Sequence, residues 1–153
     1  LEANRGLEAL SAFVDGRMLV GAESGQLWIL PQESEQRIAP LGQYELGLGF
    51  GLVDLDLLPS GDFIALERFY APVIGNRIRV TRFSAALAED RRAHKTELAL
   101  MTAPLSLDNF EGVSVVPQEG GGVRLFLVSD NNFNARQRTL IYVFDLETEE
   151  GGS

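Results

Sequence analysis

The chain has no cysteine and a single histidine among its 153 residues. The first absence excludes a disulfide framework and thiolate metal sites, but it does not fix a compartment, since exported bacterial proteins often lack cysteine too. The second removes a His-based triad or a zinc site: His94, set in the charged stretch Arg91-Arg92-Ala93-His94-Lys95, reads as a solvated surface residue. No apolar run approaches the ~18 residues that a membrane span needs. Positive charge is scarce as well, with 13 Lys plus Arg against 22 Asp plus Glu and a net charge of −9. That balance argues against a nucleic-acid partner and for bound cations, beside its plain value for solubility. Starting at Leu1 rather than Met and ending in Gly151-Gly152-Ser153, the chain reads as a piece cut from a longer product, with 147–153 a disordered tail. Any signal peptide would lie outside it.

What is present is a series of short runs rich in β-branched and aromatic residues, separated by turn residues. The stretch from Asp108 to Leu146 shows the layout best. Val113, Val115 and Val116 make one run, Val123 to Val128 a second and Leu140 to Phe144 a third. Gly120, Gly121 and Gly122 join the first two as a hairpin connection. The cluster Asp130-Asn131-Asn132-Phe133-Asn134 gathers polar chemistry where the second run ends.

Two earlier units repeat this plan. In the first, Leu7 to Phe13 turns at Asp15-Gly16, the strongest short hairpin signal, and returns through Met18 to Glu23. Gln26 to Leu30 follows, and Arg37 to Leu41 or Tyr44 to Leu48 supplies an outer strand. In the second, Leu52 to Leu58 alternates apolar and acidic residues, so Asp54 and Asp56 share a strand face. Pro59-Ser60-Gly61 turns it into Phe63 to Leu66, a loop over Phe69 to Asn76 leads to Arg77 to Phe83, Ser84 to Arg92 suggests a short helical turn, and Thr96 to Met101 closes the unit. On their turns the units superpose in register: Glu8 to Phe13 over Glu111 to Val116, and Leu55 to Pro59 over Val113 to Pro117. A period of roughly 45–60 residues with about four strands is the signature of a β-propeller blade. The expected fold is therefore all-β, a propeller segment of about three antiparallel blades spanning 7–48, 52–101 and 110–146. Three blades leave raw faces and edges, so missing blades or a second copy must complete the ring. Trp28, Phe50, Phe63 and Phe126 are read as core.

Antiparallel neighbours place the start of a blade's first strand beside the end of its second. This predicts Glu8 beside Glu23, Asp54 beside Glu67 and Glu111 beside Asp130, ringing one mouth of the central channel. Close carboxylates repel unless a cation neutralises them, and many hard oxygens suit calcium. Asn131, Asn132 and Asn134 add amide oxygens; the competing reading is that all these groups cap turns through their own backbone. Arg68, Arg77 and Arg138 near the same rim either clamp a phosphate or carboxylate or pair with the acids. Ser11 and Ser114 share a repeat position with no base to activate them. The glycines of 47–51 and 119–123 lack the strand-to-helix context of a phosphate loop and read as turns.

The residues Asp108-Asn109-Phe110-Glu111-Gly112, Leu127 to Asn134 and Gln137 to Leu140 together resemble the C-terminal signature of the bacterial phytase-like family described as having esterase-like activity. Asn4 to Leu10, Asp54 to Leu58 and Leu66 to Phe69 resemble its preceding blades. The resemblance runs from Asn4 to Leu146 and implies a propeller, usually exported to the periplasm or outside, whose further blades precede this segment. By similarity to propeller phytases, calcium in the acidic mouth would bind a phosphate monoester and activate a water, although no Asp-Ala-Asp-Asp-Pro run occurs here. The leading expectation is a metal-dependent esterase or phosphoesterase acting on a small anionic or ester substrate. In it Glu8, Glu23, Glu67, Glu111, Asp130 and Asn131 hold calcium, Glu111 and Asp130 serve the catalytic step, and Arg68, Arg138 and Asn132 bind substrate. Phe110-Glu111-Gly112 is also similar to the Glu-Gly ligand motif of gluconolactonase-type propellers, which implies a calcium lactonase. A non-catalytic binding propeller is the reading from a different class.

Overall fold

The computed structural model describes residues 6–32, 37–87 and 89–146. Among these the chain forms β1 (Leu7–Ala12), β2 (Met18–Ala22), β3 (Gln26–Leu30), β4 (Ala39–Tyr44), β5 (Gly51–Leu57), β6 (Phe63–Ala71), β7 (Gly75–Phe83), β8 (Arg92–Ala93), β9 (Lys95–Met101), β10 (Asn109–Pro117), β11 (Val123–Asp130) and β12 (Ile141–Leu146), and no helix. They build three sheets: β1-β2-β3-β4-β8, then β5-β6-β7-β9, then β10-β11-β12. Each is an antiparallel meander, and β8 alone joins its sheet parallel, beside β4. These are the three expected blades, packed face to face as an arc of a β-propeller.

Local chemistry sets the meander. Phe13 N donates to Arg17 O at 2.8 Å across the first hairpin, and Gly16 supplies the positive φ, 84°, that the turn requires. The middle blade explains its own sequence. Its strand β6 opens on the unbroken run Phe63-Ile64-Ala65-Leu66 because both its faces are buried. Phe63 and Ala65 pack with Leu19, Leu27, Tyr44 and Phe83 towards blade 1, while Ile64 and Leu66 pack with Phe110, Val113, Leu125 and Leu127 towards blade 3. By contrast β11 alternates, since only Val123, Leu125, Leu127 and Ser129 face blade 2.

The inner strand of each blade carries a β-bulge at the same place, at Glu8, Val53 and Glu111. One extra residue turns the strand over locally, so every side chain before it changes face relative to a regular ladder. The superposition of units read from the sequence puts these three positions in one column.

Several expectations are corrected. The fourth strand of blade 1 is Ala39–Tyr44, which overlaps the first candidate segment from Ala39 to Leu41 and meets the second only at Tyr44. Residues 69–76 are not a long loop, because the β6–β7 ladder continues to Ala71 opposite Gly75. Instead of a helical turn, the segment after Ser84 reaches back to blade 1. There Arg91 takes φ 57° and its guanidinium donates to the carbonyls of Pro40 and Leu41, so that β8 covers the edge of β4. Of the four aromatics read as core, Phe63 is fully buried, Trp28 and Phe50 are half-buried, and Phe126 is 36% exposed on the outer face of blade 3. Residues 147–153 lie outside the described residues.

Candidate active site at the junction of blades 2 and 3

Glu67 and Arg68 sit side by side on β6, and strand alternation sends them to opposite blades. Glu67 is buried, 0% exposed, in the interface with blade 1. Its Oε1 accepts from the Tyr44 hydroxyl at 2.5 Å and from Lys95 Nζ, and its Oε2 accepts from Arg79 Nη1 at 3.2 Å and Gly47 N at 3.3 Å. Thr81 Oγ1 shares the Tyr44 hydroxyl at 2.6 Å. Burial first, and then the adjacent Glu67 charge, push the Tyr44 phenol up far out of its ordinary range. Arg79 continues outward to Glu97 at 2.8 Å, an ion pair whose angle falls short of a hydrogen bond. Both oxygens of Glu67, expected at a metal, are thus taken within the protein.

The pairing of Asp54 with Glu67 is also corrected. The bulge at Val53 sets Asp54 opposite Leu66 and Leu52 opposite Glu67, so the two acids point to different blades. Asp54 and Asp56 do share a face, as expected, and they stitch β5 to β10. Asp54 Oδ2 accepts from Val113 N at 2.8 Å and Asp56 Oδ2 from Val115 N at 2.6 Å, while their second oxygens accept from Leu55 N and Leu57 N. The Ser11 hydroxyl donates to Asp56 at 3.4 Å, which brings blade 1 into the same seam. Desolvation raises the Asp54 pKa in spite of these two N–H donors.

Arg68 turns to blade 3. Its Nη1 bonds Asn109 Oδ1 and the carboxylate of Glu111, and Asn109 Nδ2 bonds the same Glu111 oxygen, closing a three-residue cluster across the junction. The Glu111 bulge makes this possible, because it turns the side chain at the start of β10 towards β6. Beside the cluster lies a cleft of about 520 Å³, lined by Arg68, Tyr70 and Asn76 from blade 2 and by Asp108, Asn109, Asn134, Arg136 and Gln137 from blade 3. Asp108, almost fully buried, organises that wall: its Oδ1 accepts from Asn109 N at 2.9 Å and its Oδ2 from Arg138 N at 2.7 Å.

The other expected site residues are scattered. Glu8 is exposed on its bulge, and Glu23 lies half-buried against Gly51, where a Cβ would come within 3.1 Å of its Oε1. Asp130 is exposed opposite Asn109. The Asn131 amide oxygen accepts from Phe133 N at 3.1 Å, so it caps its own turn, and Asn132 reaches Gln137 at 3.5 Å. Arg138 enters the wall through its backbone, and Arg77 lies over the Phe69 ring at 5.7 Å. Among the described residues no three His, Cys, Asp or Glu side chains converge as a metal ion would need. Sequence reasoning missed Asn109, Arg136, Tyr70 and Asp108. Asn109 carried a usable signal, since it stands two residues before Glu111 at the start of the same inner strand.

An arc of blades with a polar cleft at one rim defines a β-propeller segment. The family model described as "Phytase-like: Esterase-like activity of phytase" matches residues 1–133, and the chain belongs to this family. No curated protein matches it in sequence. Among solved structures it is similar to the soluble aldose sugar dehydrogenase of Escherichia coli in its apo form, at 20% identity and TM-score 0.57, over 85% of this chain and 39% of that one. It is also similar to a putative oxidoreductase (glucose dehydrogenase) of Thermus thermophilus, at 21% identity and TM-score 0.51, over 86% of this chain and 39% of that one. These likenesses concern the fold, and the chain spans well under half of each neighbour. Among the described residues no helix is long and apolar enough to cross a membrane.

Proposed function

We propose that the chain supplies the working sector of an esterase-like propeller, which hydrolyses small anionic esters or phosphoesters in the cleft between blades 2 and 3. The Arg68–Asn109–Glu111 cluster is the observation that carries this reading, because it gathers a carboxylate, an amide and a guanidinium at the side of an open polar cleft that Arg68 and Asn109 line. Glu111 takes a proton from a water whose oxygen attacks the carbonyl carbon or phosphorus. The bond to the alcohol oxygen then breaks, and the proton that Glu111 took passes by way of Asp130, in register with Asn109, to the leaving alkoxide, which leaves both carboxylates as they began. Arg68 stabilises the negative charge that develops. A guanidinium carries five N–H donors, and among the described residues only Nη1 of Arg68 is engaged with Asn109 and Glu111, which leaves donors for an anion. Arg138, next in sequence to the lining residue Gln137, and Asn132, which reaches Gln137 at 3.5 Å, complete the proposed substrate contacts, and export to the periplasm or beyond fits the family.

Calcium at this rim, held by Glu111, Asp130 and Asn131 with Glu8 and Glu23 further round, is the second reading. It needs oxygens from blades outside this segment, because among the described residues no acidic triplet forms. Steady-state hydrolysis of p-nitrophenyl acetate and p-nitrophenyl phosphate, with calcium and with chelator, tests both readings. We expect Glu111→Gln to lower kcat/KM about 100-fold or more at unchanged Tm, and Arg68→Ala to act mainly on the anionic substrate. Hydrolysis of neither ester, or a Glu111→Gln variant as active as the parent, would overturn the assignment; loss of activity in chelator would support calcium.

A further inference from the structure

Two large aromatic side chains stand in water around the cleft: Tyr70 at the end of β6, 66% exposed, which lines it from blade 2, and Phe133, 104% exposed, which stands next in sequence to the blade 3 lining residue Asn134. Phe133 is held there against its own preference. Asn132 and Phe133 take φ 49° and 55°, the left-handed region that Asn tolerates and Phe does not, in a tight turn closed by Asn134 N to Asn131 O at 2.7 Å. Further bonds fix the turn: Asn131 Oδ1 accepts from Phe133 N, Asn134 Oδ1 from Arg136 N at 3.0 Å, and Asn134 O from Gln137 N at 2.9 Å. A fixed, strained display of an unburied ring stabilises nothing within the described fold, and strain of that kind collects at ligand sites. Phe133 is adjacent in sequence to Asn134, which lines the cleft with Arg68 and Arg136.

We propose that the cleft takes a carboxylated sugar ring, a hexuronate unit, stacked against Tyr70 and Phe133 at its mouth; this rests on the cleft being the substrate site. The chemistry selects the ligand. Aromatic faces receive the C–H face of a pyranose, and the amide nitrogens of Asn109 and Asn134 carry N–H groups, beyond the one that Asn109 gives to Glu111, that can donate to hydroxyls. The planar guanidinium forks of Arg68 and Arg136 match a carboxylate, which an apolar acyl chain or a plain hydrocarbon ring would leave unpaired. An ester of such a ring is the substrate that the hydrolytic reading would then act upon.

Calorimetric titration of the full chain with sodium glucuronate, a galacturonate trisaccharide, glucose and inorganic phosphate tests this without turnover. Glucuronate or the trisaccharide should bind at least about tenfold more tightly than glucose or phosphate. Tighter binding of the trisaccharide would point to an acidic polysaccharide as the source, and equal binding to free uronate. Phe133→Ala should weaken uronate about tenfold, Phe133→Tyr should restore it, and Phe133→Gly should raise Tm by relieving the turn. No uronate heat, phosphate binding as tight as uronate, or an unchanged affinity in Phe133→Ala would overturn the proposal while leaving ester hydrolysis standing. Uronate binding without any ester turnover would keep this site and remove the hydrolytic reading.

Discussion

Tyr44 and Glu67 join blade 1 to blade 2 through a 2.5 Å bond between two side chains that water does not reach. A buried carboxylate costs stability unless each oxygen is satisfied, and here a phenol, an ammonium, a guanidinium and a backbone N–H share the task. Tyr44→Phe removes the hydroxyl that donates to Glu67 and accepts from Thr81, so it should cost about 1–3 kcal/mol. At this chain length that lowers Tm by roughly 2–4 °C for each kcal/mol, measurable by calorimetry, and an unchanged Tm would show the bond to be incidental. Glu111 drew notice in the sequence because it repeats the position of Glu8, and Arg68 because it follows Glu67 at the same rim. Glu67 was wrongly paired with Asp54, because the expected ladder was regular. Its neighbour across that ladder is set by the bulge at Val53 in β5, which the surrounding Leu-Val-Asp-Leu-Asp pattern does not announce.

Strands pair as their hydrophobic runs and Gly-containing turns dictate, so β1, β2, β3 and β11 were legible almost to their ends, and β10 in its second half. The connections that cross between blades were not. The parallel pairing of β8 with β4 is a two-residue contact between distant segments, and no local pattern encodes it. Close approach of blades is the other hidden property. Gly21 faces blade 2, and a Cβ there would meet Leu52 Cδ2 at 2.5 Å. Gly21→Ala should therefore force Leu52 or the whole of β5 outward and destabilise the protein by about 1–3 kcal/mol. Denaturant unfolding would read this as a lower midpoint at constant slope. If the midpoint held, the blade interface would be looser than the geometry of β2 against β5 implies.

Across the whole molecule, carboxylates of the middle blade act as stitches: Asp54 and Asp56 to the backbone of β10, Glu67 to Tyr44. Blade 3 carries an apolar face, where Phe126 lies opposite Val143 and Val128 opposite Ile141, all exposed beside β12, which among the described residues has no further strand partner. Such a face favours association with another blade surface. The chain by itself should self-associate at micromolar concentration, and Phe126→Asp with Val143→Asp should return it to a monomer; a monodisperse parent by light scattering would contradict this. The repeat made the arc legible in the sequence, whereas the cleft was only half visible, since Arg136, Tyr70 and Asn109 meet only when blades 2 and 3 are packed. Function on this account belongs to that junction and to neither blade alone. A double-mutant cycle on kcat/KM for ester hydrolysis with Arg68→Met and Glu111→Gln tests it most directly. If the two residues act as a unit, the double variant loses little more than the worse single one. Losses that simply multiply, or no loss at either position, would contradict a shared site at the blade junction.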